Sequence, residues 1–216
     1  AVGTGIETGS SVRTIEAGDR VLVSCITACG RCRFCREARY GQCLGGGGWI
    51  LGHRIDGVQA QFARVPFADT STHLLPPQVE AEAAVMLADI LPTAYEVGVL
   101  NGRVAPGDTV AVVGAGPIGL AAIMAARLVS PSMIVALDPA PSRRKAALLF
   151  GADAALPSGG ELSLEETVTA ATDAVAEASE GLGFDVAIEA VGIPDTFELC
   201  TRLVRPGGRV ANVGVH

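Results

Sequence analysis

The sequence predicts an α/β protein whose second half is a doubly wound parallel sheet and whose first part is a mainly β region with a cysteine-rich loop. Three observations carry this reading. Strand-like and helix-like segments alternate regularly from about Asn101 onward. A glycine-rich turn, Gly114 to Gly119, joins the first of those strands to the first of those helices. Four of the six cysteines lie within residues 29–43, in a stretch that is otherwise loop-like.

The first part is expected to span residues 1–92. Ala17-Gly18-Asp19 is a turn signal, and Arg20-Val-Leu-Val-Ser24 after it reads as a strand. Gln59 to Val65 alternates in part between polar and apolar residues and reads as another. Gly45 to Gly48 precede Trp49, and four glycines in a row predict a mobile loop.

Residues 93–216 are more regular. Thr109-Val-Ala-Val-Val-Gly114 is a buried strand, and Pro117 to Val129 is apolar at helical spacing. Met133 to Asp138 is a second strand and Ser142 to Phe150 a second helix. Asp153 to Leu156 is a weak third strand, followed by an acidic, alanine-rich helix over Leu164 to Ala178. Asp185 to Val191, Asp195 to Val204 and Gly208 to Val213 complete the pattern as strand, helix and strand. Strand and helix alternating with short links give a parallel sheet covered on both faces. The expectation is a Rossmann-type domain that stops before a sixth strand.

Gly114-Ala-Gly-Pro-Ile-Gly119 is a G-x-G-x-x-G placed between a strand and a helix. Gly114 permits the tight turn, Gly116 lets the backbone approach a pyrophosphate, and Gly119 lets helix and strand pack closely. Pro117 stands where a first helical residue tolerates proline, and Ile118 lies in the same first turn, whose free N–H groups favour phosphate. Asp138, nineteen residues after Gly119, ends the second strand where a carboxylate accepts hydrogen bonds from an adenosine ribose. The same carboxylate would repel a 2′-phosphate, so NAD is expected in preference to NADP. Arg143 and Arg144 nearby are residues that could accommodate that phosphate.

Cys29, Cys32, Cys35 and Cys43 have the spacing C-x2-C-x2-C-x7-C. Thiols this close pair poorly with one another as disulfides. The bacterial ferredoxin run ends in Cys-Pro, whereas Cys43 is followed by Leu44. A tetrahedral, closed, structural Zn²⁺ site needs only four thiolates on a looping segment. Four thiolates around Zn²⁺ leave a net negative charge, and Arg31, Arg33, Arg36 and Arg39 are placed to offset it. A solvated basic loop is compatible with that role. Cys25 and Cys200 read as buried apolar thiols.

Composition bounds the function. With 49% hydrophobic and 18% charged residues, the 216-residue chain is a folded protein with a large buried core. A net charge of −7 argues against a nucleic-acid partner. No apolar run reaches the length of a membrane span, and AVGTGIETGSS is not a secretory signal. A cytoplasmic location is expected.

The cysteine lobe followed by a nucleotide-binding domain resembles the zinc-dependent medium-chain alcohol dehydrogenases. The resemblance rests on CGRCRFC with Cys43, on Val85 to Thr93, on GAGPIG and on Asn212 to His216. It implies NAD-linked interconversion of an alcohol and an aldehyde or ketone, with a homo-oligomeric assembly and a catalytic zinc distinct from that of the lobe. It implies Asp89 as a catalytic-zinc ligand, Thr93 beside the nicotinamide and Gly192 near the adenosine ribose. Val213 and Val215 become backbone contacts to the carboxamide, and Trp49 either a wall of the alcohol pocket or a plain loop residue. The family's N-terminal cysteine ligand and Gly-His-Glu histidine have no counterpart here: the first cysteine is Cys25, and Gly52-His53-Arg54 differs in place and third residue. The chain therefore reads as an internal fragment, inactive by itself. The alternative is a non-catalytic NAD-binding module with a structural zinc. A quinone-reductase-like relative would lack the cysteine lobe.

Overall fold

The structure is a computed structural model, and it describes residues 1–160 and 162–215. Glu161 and His216, the last residue of the Asn212 to His216 run, lie outside the described residues. The chain divides into two compact units, the first Ala1–Asp89 and the second beginning at Ile90.

In the first unit β1 (Val2–Thr4) and β2 (Arg20–Val23) pair antiparallel. Gly18 turns the chain into β2 with a φ of 97°, a backbone conformation that suits glycine, and the Asp19 carboxylate accepts a hydrogen bond from the Glu16 N–H at 2.7 Å. Two short helices follow, α1 (Arg33–Arg36) and α2 (Ala68–Ser71). Then β3 (Thr72–Leu74) pairs antiparallel with the other side of β2, and α3 (Ala81–Ala84) comes after it. Val21, Val23 and Leu51 are the buried members of the apolar cluster under this sheet, with Ala1, Ile15 and Val65 against them. Gln59 to Val65 forms no strand, contrary to its alternating pattern. Both edges of β2 are already taken by β1 and β3, and residues 59–64 are exposed.

The second unit opens with α4 (Ile90–Thr93), which widens into a π-helical stretch over Ala94–Leu100. There follow β4 (Thr109–Val113), α5 (Pro117–Arg127), β5 (Met133–Leu137) and α6 (Pro141–Leu149). Next come β6 (Ala154–Leu156), α7 (Leu164–Ala174), β7 (Phe184–Glu189), α8 (Pro194–Leu203) and β8 (Val204–Asn212). The strands are all parallel, in the order β6-β5-β4-β7-β8.

Alternate residues of the strands feed opposite faces, as the two-residue period of a strand requires. Val110 and Val112 of β4 pack with Ile134, Ile188 and the alanines of α5. Ala111 and Val113 pack on the other side with Leu137, Phe184 and Leu199, Cys200 and Leu203 of α8. Helix α7 starts at a capping box in which the Ser163 hydroxyl accepts from the Glu166 N–H and the Glu166 carboxylate accepts from the Ser163 N–H. It ends at Ala174, short of the expected Ala178. Strand β8 starts at Val204, four residues before expectation. A register shift against Phe184 and Val186 absorbs the extra residues. Among the described residues no single helix is long and apolar enough to cross a membrane.

Candidate dinucleotide and metal sites

Strand β4 is flanked by β5 on one side and β7 on the other, so connections leave it in opposite directions and a crevice opens at the carboxyl ends of the strands. A cleft of about 610 Å³ lies there. Gly114, Gly116, Asp138, Arg143, Ser158, Val191 and Leu199 are among the residues lining it. The three glycines differ in what they permit. Gly114 has a φ of 94°, and a Cβ there would come within 2.5 Å of Val191 Cγ2. A Cβ on Gly119 would overlap the Gly114 carbonyl oxygen. Around Gly116 there is no atom within 4 Å of the place a Cβ would take, so the backbone is open to a ligand. That is the cradle a pyrophosphate needs, and Gly116 is followed directly by α5, whose first-turn N–H groups face it.

Asp138 is 1% exposed. Its Oδ2 accepts from the Ala115 N–H and its Oδ1 from the Ala140 N–H, each at 2.8 Å. It therefore holds the glycine turn in place, a role the sequence reading missed. A carboxylate has about four acceptor positions, so these two bonds leave capacity for a ribose. Arg143 Nη1 stands 3.8 Å from Asp138 Oδ2 and is largely exposed. Arg144 is committed elsewhere, donating to the carbonyl oxygens of Asp138 and Pro139. Gly192 has a φ of 95°, Val213 is half-buried and Val215 is exposed.

The cysteines converge as their spacing suggests. The Sγ atoms of Cys29, Cys32, Cys35 and Cys43 all lie within 4.8 Å of one another. Cys29 to Cys35 is 3.9 Å and Cys32 to Cys35 is 3.4 Å. Four sulfurs about 2.3 Å from a tetrahedral zinc are about 3.8 Å apart, so the set fits the ion. Backbone N–H groups point at the sulfurs: Leu44 N–H to Cys32, and those of Cys29 and Gly45 to Cys43, at 3.3 to 3.4 Å. N–H donors from Cys35 and Leu44 bring the Cys32 thiol down to about 6. Burial pushes the Cys35 thiol up to about 12.

The glycine run after Cys43 is not a free loop. A Cβ on Gly45 would sit 2.6 Å from Cys29 Sγ, and one on Gly47 2.6 Å from the Thr27 oxygen. Gly48 exchanges backbone hydrogen bonds with Thr27. Gly45 thus permits close approach to a thiol, and Gly47 and Gly48 close approach to backbone. Two of the four arginines also have other partners. Arg33 pairs with Glu37 at 3.0 Å, and both Arg33 and Arg39 stand over the Phe34 ring. Trp49 is 62% exposed and stacks flat on His53.

Asp89 closes the first unit and Thr93 belongs to the second. Asp89 lines a 280 Å³ pocket with Ser24, Cys25, Leu51 and Val85. The apolar run around Asp89 predicts a buried carboxylate in need of a metal, yet Asp89 is exposed. It caps a 3-10 helical stretch, Val85–Ala88, that follows α3, and with its carboxylate exposed the cost of burial no longer argues for a ligand. Cys25 is half-buried beside it and hydrogen-bonds to its carboxylate. Burial, then Asp89, pushes the Cys25 thiol up. The reading of Cys25 as a plain apolar thiol missed this partner, while Cys200 is fully buried in the core as expected.

Comparison with known proteins agrees with both halves. Residues 1–77 match the alcohol dehydrogenase GroES-like domain and residues 117–216 the zinc-binding dehydrogenase model. A medium chain reductase/dehydrogenase of Acremonium sp is 32% identical over all of this chain and 73% of its own length. An NADP-dependent isopropanol dehydrogenase of Thermoanaerobacter brockii is 35% identical over 99% of this chain and 58% of its own length. The solved apo structure of zinc dependent alcohol dehydrogenase 2 from Streptococcus pneumonia is 42% identical, with a TM-score of 0.89 over all of this chain and 59% of that one. With the glycine crevice, the four-thiol cluster and these matches in one polypeptide, the chain belongs to the zinc-dependent medium-chain alcohol dehydrogenase family.

Proposed function

We propose that the protein carrying this chain is a cytoplasmic, homo-oligomeric dehydrogenase that interconverts an alcohol and an aldehyde or ketone with NAD. The observation that carries the reading is the crevice at the ends of β4 and β7, with Gly116 open to a pyrophosphate and Asp138 beneath it. When bound, the nicotinamide would supply hydride chemistry and a catalytic zinc would polarise the alcohol oxygen. This chain's own residues do the rest. Ile118 and Gly119 offer first-turn N–H groups to the phosphates, and Pro117 starts the helix without giving one up. Asp138 receives the adenosine ribose and Gly192 lies alongside it. Val213 and Val215 orient the carboxamide through their backbone, Thr93 stands by the nicotinamide, and Asp89 is a ligand of the catalytic zinc. Cys29, Cys32, Cys35 and Cys43 hold the structural zinc.

NAD is favoured because the Asp138 carboxylate is fixed in place by two amides and cannot turn away from a 2′-phosphate. Arg143 is the opposing influence, since its guanidinium is free to reach such a phosphate, and one relative carries NADP in its name. Calorimetric titration with NAD and NADP tests the choice. NAD is expected to bind at least about tenfold tighter, and Asp138→Ala to shrink that ratio. Equal or tighter NADP binding refutes it. Turnover of short-chain alcohols with NAD, lost on Asp89→Ala while dinucleotide binding persists, is the expected result for the metal-ligand role.

A further inference from the structure

We infer that Glu189 is a positioning residue for the dinucleotide: a single buried carboxylate that locks together the loops following β7 and β8. The inference rests on the crevice being the dinucleotide site, and it names what keeps that site in shape.

Glu189 is the last residue of β7 and is wholly buried. Its Oε1 accepts three hydrogen bonds, from the Val191 N–H at 2.9 Å, the Gly192 N–H at 3.0 Å and the Thr196 hydroxyl at 2.7 Å. Its own backbone carbonyl accepts from the Val213 N–H at 2.9 Å and the Gly214 N–H at 3.1 Å. One residue thus fixes the turn into α8 with its side chain and the exit from β8 with its main chain. The loops also interlock sterically. A Cβ on Gly214 would overlap Glu189 Oε2 and the Gly192 nitrogen, and one on Gly192 would overlap the Val215 oxygen. On the other side the Ala190 N–H donates to the Val113 carbonyl, which joins the same turn to the strand entering the glycine motif.

A bland role is available, because a carboxylate near a helix start stabilises the helix. That role would need one or two of these bonds. It gives no reason for a single residue to hold Val191, Gly192, Val213 and Gly214 together. Of those segments Gly192 would lie by the adenosine ribose and Val213 by the carboxamide, and binding is tightest when such segments are ordered before the ligand arrives. AMP, by contrast, would rest mainly on the glycine turn and Asp138 and would meet only Gly192 of these segments.

The test compares NADH and AMP binding to the chain and its variants, by NADH fluorescence and by calorimetry for AMP. Amide hydrogen exchange is followed in parallel. Glu189→Ala is expected to weaken NADH about tenfold or more and AMP, which meets only Gly192 of these segments, by about threefold at most, with faster exchange at residues 191, 192, 213 and 214. Glu189→Gln keeps an acceptor at Oε1 and is expected to stay within about threefold of the parent for NADH. Thr196→Val removes one of the three donors without touching the carboxylate. It is expected to shift NADH by about two- to threefold, and it decides the matter if Glu189→Ala does not fold. NADH binding unchanged in both Glu189→Ala and Thr196→Val, or NADH and AMP weakened by the same factor, overturns the positioning role alone. A parent chain that binds neither AMP nor NADH overturns the reading of the crevice and this inference with it.

Discussion

Around β2 the buried apolar cluster has three members, Val21, Val23 and Leu51, and the unit that contains them places four thiols within 4.8 Å of one another. In the second unit β4 alone contributes five buried residues, Thr109 to Val113, and each face of the sheet has its own cluster. The difference is one of what replaces what. A loop-rich unit that cannot bury enough apolar surface would gain its order from ligand bonds to a metal, and its four thiols fit one. A doubly wound sheet needs no such help, and its Gly116 leaves room where a ligand could approach. Glycine is abundant in both, yet Gly45 and Gly47 bring backbone against sulfur and oxygen, whereas Gly116 leaves space empty.

The sharpest way to break this contrast is to take the metal away. Zinc in small structural sites contributes roughly 10–16 kcal/mol of apparent binding free energy, as much as or more than a domain's whole stability of about 5–15 kcal/mol. Chelation, or Cys32→Ser, is expected to open residues 29–48 to hydrogen exchange while residues 109–212 remain protected. Equal loss of protection in both units would show that the second depends on the first.

A smaller effect is expected in the sheet. Phe184 is wholly buried at the start of β7, and Phe184→Ala should cost about 3–5 kcal/mol in chemical denaturation of the second unit. The thiol cluster should keep its zinc stoichiometry. A cost below about 1 kcal/mol would mean that the sheet tolerates a cavity there and is less tightly packed than its burial implies.

The smallest effect is tied to pH. Burial alone would raise the Asp185 carboxyl, but the Thr109 N–H and hydroxyl and the Arg205 guanidinium together hold it below the ordinary range. A lowered folded-state pKa means stability that is present above the unfolded value of about 3.9 and is lost as the pH falls through the folded one. Asp185→Asn should therefore cost about 1–3 kcal/mol at pH 7, with the cost shrinking below about pH 4. Denaturation at pH 7 and at pH 3 separates the two. A cost that does not change between them would assign the stabilisation to shape and not to charge.

The second unit was legible in the sequence because its signals are local and repeated. Val110 to Val113 can be nothing but a buried strand, and the glycine turn needs only its own six residues to be read. Errors there came at element ends, where the bulge between Val204 and Arg209 or the stop of α7 depends on neighbours. The four-thiol cluster was equally legible, since its spacing alone brings the ligands together. The first unit's remaining features were not. Gln59 to Val65 has a strand-like pattern but no vacant edge to join, which only the pairing of β2 reveals. The burial of Asp89, though not its role, was misjudged, because an apolar run does not say which way the chain will carry its one charged residue. Glu189 left a faint signal, a carboxylate in the last position of an apolar strand before Ala-Val-Gly, and its partners lie as far away as Gly214.

The strand order has a consequence for the order of synthesis. Residues 109–156 contain β4, β5 and β6, which pair among themselves, but β4 must wait for β7 to cover its other edge. Between the end of β6 at Leu156 and the end of β7 at Glu189 the ribosome adds 33 residues. At about 5–20 residues per second this takes roughly 2–7 s. During that interval Thr-Val-Ala-Val-Val, uncharged and free of proline, presents an open backbone edge of the kind that recruits strands from other chains. In the folded chain the Asp185 carboxylate, near the head of β7, accepts from the Thr109 N–H and hydroxyl, in register with the β4–β7 pairing that covers that edge.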